Sequence, residues 1–245
     1  MNKVVGIIPA RWASTRFPGK PLHGIAGKPL VRHVWDRCVE AGCFDQIVIA
    51  TDDMRIAEAS FNFGAEVAVT AADHPSGTDR IAEVARKLKK ASIIVNIQGD
   101  EPLLDPTLLQ ELVRKLKDDP RIPIVTAATP ISAEESQSEH NVKVVIDRKG
   151  NALYFSRSCI PFRRGESDAV TYKHLGIYGY RRNALLDFVK LSPGSLEKAE
   201  QLEQLRALEN GVKIRVVVSE TNSVGVDTPE DAAEAERLIL SRRNG

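Results

Sequence analysis

Short apolar runs rich in β-branched residues alternate along this chain with longer stretches whose apolar positions recur every three or four residues. The runs at Val4–Ile8, Ile47–Ala50, Val67–Val69, Ile93–Ile97 and Ile124–Ala128 predict strands. The stretches near Pro29–Ala41, Met54–Phe63, Thr78–Lys90 and Pro106–Lys117 predict amphipathic helices between them. Strands that are apolar on both faces and separated by helices describe a parallel sheet covered on both sides. The first half is therefore expected to be a doubly wound α/β sheet of the nucleotide-binding kind.

The pattern changes after Thr129. Val142–Ile146, Ala152–Phe155 and Val170–Tyr180 read as strands, some of them antiparallel, and the polar stretch Arg163–Ser167 as a mobile loop. A helical stretch near Leu196–Glu209 and a strand at Lys213–Val218 follow. The last helix opens at Thr228-Pro229-Glu230-Asp231, with proline in its first turn and acids at its N-terminus. Nothing marks a linker, so the expectation is one domain over 1–245, with a mostly parallel sheet and a small lobe inserted around 130–190.

Charge and composition narrow the functional classes. Among 245 residues, 34 basic side chains face 33 acidic ones, a net charge of +1. That balance offers no general field for nucleic acid, so any anion site must be local. Three cysteines without a C-x-x-C pair argue against a disulfide framework or a zinc site. The apolar run at the N-terminus is too short for a signal peptide, and no stretch approaches a membrane span. A cytoplasmic protein with no membrane partner is expected.

Local cations appear where the first strand ends. The segment from Pro9 and Ala10 to Leu22 carries Arg11, Arg16 and Lys20 among small residues. In an open α/β sheet, ligands bind beyond the carboxyl ends of the strands, and three cations there suit a triphosphate. Read alone, this segment is equally well a solvated basic loop. It is neither a Walker A sequence nor G-x-G-x-x-G, and Gly24–Lys28 reads as a turn before a helix. Another strand ends in Gln98-Gly99-Asp100-Glu101-Pro102. Asp100 reads either as a hard-metal ligand facing phosphates or as a turn cap. In Gly225-Val226-Asp227-Thr228-Pro229, Asp227 by itself reads as a helix cap.

Together these segments resemble the sugar nucleotidyltransferases, and among them the cytidylyltransferases that activate acidic sugars. The resemblance runs from about Val4 to Leu238. It implies a nucleotide-diphospho-sugar transferase fold, a first loop that wraps CTP, and Mg²⁺ held by Asp100 and Asp227. It also implies catalytic roles for Arg11, Lys20, Asp100 and Asp227. In the family, Ala72, Asp73, Ser76 and Gly77 approach the cytosine and ribose, and Arg80 faces the active site.

Tyr154-Phe155-Ser156-Arg157, His174 to Arg181, and Glu203-Gln204-Leu205-Arg206 resemble the subfamily specific for the eight-carbon sugar acid Kdo (3-deoxy-manno-octulosonate). The resemblance implies that Gln98, Arg157, His174, Tyr178, Glu203 and Gln204 bind the sugar. It implies CMP-Kdo and diphosphate as products, a place in lipopolysaccharide assembly, and a homodimer formed through the lobe. Read alone, Glu203 and Gln204 lie on an ordinary solvated helix face, and His174 is a structural histidine. The chain departs from the family's usual residues at Trp12, Asp79 and Cys159, none of them proposed as a metal or phosphate ligand.

Overall fold

From Val4 to Ile8 every residue of the first strand is buried, as a strand covered on both faces requires. Its side chains divide between two cores: Val4 and Ile8 enter one, Val5 and Ile7 the other. The computed structural model describes residues 3–13, 17–165, 168–220 and 225–243. Arg16, and Glu166 and Ser167 of the expected polar loop, lie outside the described residues.

The chain opens with β1 (Lys3–Ala10), followed by a small hairpin of β2 (Gly24–Ile25) and β3 (Lys28–Pro29). This hairpin replaces the simple turn expected at Gly24–Lys28. Its two turn residues, Ala26 and Gly27, both have positive φ, 47° and 80°, the pairing that matches the twist of a tight hairpin. Next come α1 (Leu30–Ala41), β4 (Gln46–Thr51), α2 (Met54–Asn62), β5 (Glu66–Val69) and α3 (Gly77–Lys87). Then follow β6 (Ala91–Asn96), α4 (Pro106–Asp118) and β7 (Ile124–Ile131). Helix α3 stops three residues short of the expected Lys90, because Lys89 and Lys90 turn back to start the next strand. Side-chain caps set three helix starts: Asp53, Ser76 and Asp105 each accept a first-turn N–H.

The second half contains β8 (Lys143–Ile146), β9 (Ala152–Ser156), β10 (Thr171–Arg181), α5 (Arg182–Phe188), α6 (Ser195–Glu200), α7 (Leu205–Glu209), β11 (Ile214–Val218) and α8 (Pro229–Arg243). The single helix expected over Leu196–Glu209 is two helices. Gln201 takes a left-handed conformation (φ 53°, ψ 47°) that ends α6, and the chain re-enters helix at Leu205. Helix α5 was not anticipated.

The sheet order is β11-β7-β10-β6-β1-β4-β5. All neighbours on this path are parallel except β10, which runs antiparallel between β6 and β7. The stretch 130–190 therefore divides. Strands β8 and β9 lie off the main path, attached through β8 to Tyr172 and Lys173 of β10, which itself pairs with β7 from Thr171 to Tyr180 and with β6 from Tyr178 to Arg181.

Two features of this frame position the site. The chain winds from β1 to β4 and β5 on one side, then crosses to β6 on the other, which places the topological switch between β1 and β6. A third core of Ile25, Leu30, Leu103, Val226, Ala232, Ala235 and Ile239 packs α8 against the β2–β3 hairpin. That packing brings the residues before α8 to the carboxyl edge of β6.

Candidate active site

Beyond the carboxyl ends of β1 and β6 lies a cleft of ≈ 300 Å³. Pro9, Ala10 and Arg11 form one wall and Gln98, Gly99 and Asp100 the other, with Lys20 and Asp227 at one end and Ser76, Gly77 and Arg80 opposite. The two walls touch at Gly99. A Cβ there would stand 2.8 Å from Pro9 O, so only glycine lets the β6 loop pass this close to the β1 loop.

Lys20 draws the two aspartates together. Its Nζ lies 2.8 Å from Asp100 Oδ2, 3.1 Å from Asp227 Oδ1 and 2.7 Å from Val226 O. The Val226 N–H also bonds Asp100 O at 2.8 Å, which locks the residues before α8 to the end of β6. The start of α8 is closed by other groups. Thr228 Oγ1 accepts the Asp231 N–H, and Asp231 Oδ2 accepts the N–H groups of Thr228 and Asp227. This is a capping box centred on Thr228, and it leaves the Asp227 carboxylate turned toward Lys20.

The residues fit a divalent cation of the hard class. Both carboxylates lie within 3.1 Å of one ammonium nitrogen, so their oxygens face one shared space. Mg²⁺ is commonly held by one or two carboxylates, with phosphate oxygens and waters completing the shell. Among the described residues no group of three His, Cys, Asp or Glu side chains could hold a metal alone.

Helix α3 forms the opposite wall and holds the loop before it. Arg80 is buried, and its Nη1 reaches Thr70 Oγ1 at 2.5 Å, Ala71 O at 3.2 Å and Asp52 Oδ1 at 3.0 Å. Glu83, one turn further on, accepts the Ala71 N–H at 3.0 Å and His74 Nε2 at 2.7 Å. Both main-chain groups of Ala71 are thus held from the same helix. The Ala71 N–H, with His74 and Lys87, pulls the Glu83 carboxyl down to about 2. Ala72 and Asp73 follow as exposed residues at the rim.

The expected sugar residues gather on the other side of Gln98. Gln98 Nε2 donates to Gly176 O at 2.9 Å. His174 and Tyr178 lie on one face of β10 with ring centroids 5.3 Å apart, and Phe155 stacks edge-on against His174 at 5.0 Å. Burial lowers the His174 pKa to about 3, so the ring is neutral, and raises the Tyr178 hydroxyl well above its ordinary value. Glu203 accepts Ser76 Oγ at 2.9 Å and Thr78 Oγ1 at 2.6 Å, joining the segment before α7 to the start of α3. Burial raises its pKa, against the pull of those two hydroxyls.

Gln204 is adjacent, with its Nε2 buried and lacking a hydrogen-bond partner among the described residues; Asn96 Oδ1 is in the same condition. Arg157 sits at the end of β9, outside the cleft walls. Its Nε donates to Glu200 O at 3.0 Å and its Nη1 to Glu139 O at 3.2 Å.

His74 and Pro75, within the Ala72–Arg80 stretch that resembles the family, line the cleft. Two residues near the site carry no motif in the sequence: Glu200 accepts from Ser156 Oγ and the Arg157 N–H, and the buried Lys143 ammonium donates to Ser138 O and Arg157 O. The only hint was polarity out of place, such as Lys143 and Thr126 within otherwise apolar strands.

Comparison with known proteins follows the same lines. The family model described as cytidylyltransferase matches residues 5–214. A Syntrophobacter fumaroxidans protein named 3-deoxy-manno-octulosonate cytidylyltransferase is 53% identical over 234 residues, covering 94% of each chain. The Syntrophus aciditrophicus protein of the same name is 48% identical, covering 99% of each. Among solved structures, a CMP:2-keto-3-deoxy-manno-octonic acid synthetase complexed with CTP superposes with a TM-score of 0.95 at 41% identity, over 98% of this chain and 100% of that one. The 4-diphosphocytidyl-2C-methyl-D-erythritol synthase of Anaerococcus prevotii shares the fold alone, with a TM-score of 0.65 at 14% identity over 97% and 99% of the chains. With the family model covering most of its length and relatives near half identical from end to end, this chain belongs to the cytidylyltransferase family.

Proposed function

We propose that this protein transfers CMP from CTP to the anomeric hydroxyl of Kdo, releasing diphosphate and CMP-Kdo for lipopolysaccharide assembly. The observation that carries the reading is the convergence of Arg11, Lys20, Asp100 and Asp227 on one cleft at the sheet's switch point. That cleft lies in a chain aligned from end to end with enzymes named for this reaction.

In the reaction, the sugar hydroxyl oxygen bonds to the α-phosphorus, the bond from that phosphorus to the bridging oxygen breaks, and diphosphate leaves on the opposite side. Arg11 and Lys20 counter the charge of the triphosphate and leaving group. Asp100 and Asp227 would hold Mg²⁺, which when bound supplies charge neutralisation at phosphate oxygens and acidifies a coordinated hydroxyl. The Ala72–Gly77 segment, gripped by Arg80 and Glu83, receives the nucleoside. Gln98, His174, Tyr178, Glu203 and Gln204 receive the sugar, and Arg157 supplies a guanidinium for its carboxylate. The protein works in the cytoplasm as a homodimer joined through the lobe, where Phe162, Leu153 and Val170 are exposed.

The test is a diphosphate-release assay with CTP, Mg²⁺ and Kdo, with CMP-Kdo identified by mass spectrometry. Turnover with CTP and Kdo well above that with UTP or with a sialic acid supports the proposal. Release with sialic acid and none with Kdo assigns a different sugar acid, and no release with any acid rejects the enzyme reading.

A further inference from the structure

Strand β10 does not cross the sheet in even register. Leu175 faces Ala127 and Tyr178 faces Thr126, so Gly176 and Ile177 have no counterparts on β7. They form a bulge between His174 and Tyr178, the kind of local irregularity that re-aims side chains near active sites. Beneath it lies Thr126, with 0% of its surface exposed. Its Oγ1 is 2.8 Å from Ile177 O, 3.3 Å from Leu175 O and 3.0 Å from His174 Nε2.

A hydroxyl has one proton to give. Neither carbonyl can donate, and Ile177 O is the shortest of the three contacts, so the arrangement that leaves both Ile177 O and Nε2 hydrogen-bonded gives that proton to the bulge. Oγ1 then faces His174 with a lone pair, and the contact is a hydrogen bond only if Nε2 carries the ring proton. The neutral ring consequently keeps Nδ1 as an acceptor. The bulge has a second use. Gly176 O, at its crest, holds Gln98 Nε2 at 2.9 Å.

We propose that Thr126 is a positioning residue for the sugar half of the site: it pins the β10 bulge and fixes His174 as the Nε2–H tautomer, so that Nδ1 presents an acceptor to a hydroxyl of the sugar acid. The inference rests on the reading of His174 as a sugar-pocket residue. Thr126 itself touches no ligand, since it is wholly buried. Its influence passes through His174 and Gln98 and should leave CTP alone.

The experiment compares wild type with T126V, T126S, H174A and the T126V/H174A double variant. Each is titrated with Kdo at saturating CTP, and with CTP at saturating Kdo. Histidine ¹⁵N spectra report which nitrogen of His174 carries the proton. T126V should raise the Kdo KM by about five- to tenfold, the scale of one net hydrogen bond, with the CTP KM unmoved. T126S should recover most of that loss, and T126V should add little in the H174A background. The spectra should show the Nε2–H form in wild type and T126S and a mixture of tautomers in T126V.

A wild-type Kdo KM in T126V, an equal rise in both constants, or an unchanged tautomer overturns the inference. Should T126V not fold, T126A removes the same hydroxyl. An H174A variant with an unaltered Kdo KM overturns the sugar-pocket reading instead, and the tautomer shift then still decides whether Thr126 orients the ring.

Discussion

Lys20 and the two aspartates around it are the most informative side chains in the molecule. Because Thr228 closes α8 in its own capping box, Asp227 is not needed for the helix, and its carboxylate can serve the cleft. Asp227→Asn and Asp100→Asn are therefore expected to lower turnover by about 100-fold or more, the scale of removing a preorganised charge at a reacting phosphate. Thermal unfolding should move little for Asp227→Asn. Kinetics across a Mg²⁺ titration, read beside a melting curve, check this. A normal rate with normal Mg²⁺ dependence in Asp227→Asn would remove that residue from the chemistry.

At the scale of elements, α3 and the segment it grips make two predictions with their neighbours. Glu83 ties Ala71 and His74 to α3 through a carboxyl lowered to about 2. A carboxyl whose folded pKa lies below its unfolded value stabilises the fold above the unfolded pKa, and that stability is lost as pH falls through the folded one. The window here runs from the ordinary glutamate value near 4.5 down to about 2. Glu83→Gln should lower stability at neutral pH by about 1 kcal/mol, after allowance for solvent screening of a partly exposed group. The gap from wild type should narrow as pH falls below about 4.5 and close as it reaches about 2. Urea unfolding at a series of pH values checks it, and a constant gap down to pH 2 would contradict it.

The second prediction concerns the break between α6 and α7. Gln201 holds a left-handed conformation that glycine adopts without strain. Gln201→Gly should thus raise stability by about 0.5–1 kcal/mol, although glycine is normally the more costly residue to order. Denaturant midpoints measure the sign.

The break between these helices also shows where sequence reading stops. Periodicity places an apolar stripe on Leu202, Leu205 and Leu208, and that stripe is indifferent to one left-handed residue between two short helices. Four of the five parallel strands of the first half are legible because burial on both faces makes each a largely apolar run, while the edge strand β5, with Glu66 and Val69 exposed, shows only a short one. The placement of β10 is not legible, since an antiparallel strand inside the sheet has the same composition as one in a separate lobe. The site divides the same way. Arg11 and Asp100 follow soon after strand ends, so the fold class alone puts them at the carboxyl edge, whereas Lys20, ten residues past β1, is brought back there by the loop. Asp227 lies 127 positions after Asp100 in the numbering, and only the packing of α8 on the β2–β3 hairpin brings it there. Thr126 stands out in the sequence only as a polar residue in an apolar strand, and its role is legible only once the bulge above it is seen.

For the whole molecule, the exposed apolar side chains on and beside the lobe set an expectation about assembly. Phe162 is 87% exposed, with Leu153 and Val170 also open to solvent. Exposed large apolar groups of this kind can mark contact sites when they share a surface. The proposed homodimer buries them, so Phe162→Glu should shift the protein from dimer to monomer in light scattering at micromolar concentration. A wild-type protein that is already monomeric would dismiss the proposed interface.

The position of β10 has one more consequence, for inhibition. Its pairing with β6 sets Tyr178 opposite Asn96, the last residue of that strand, and Gln98 just beyond holds Gly176 O. On the proposed function, the phosphate and sugar halves are therefore tied together by the β6–β10 pairing at Tyr178 and by the Gln98–Gly176 hydrogen bond, which set the spacing between them. A single compound spanning both halves would meet a receptor whose span these bonds hold. Its potency should then depend sharply on the length of the connector: a rigid spacer of the right reach gains by ordering less on binding, while one atom too many forces one headgroup out of its seat.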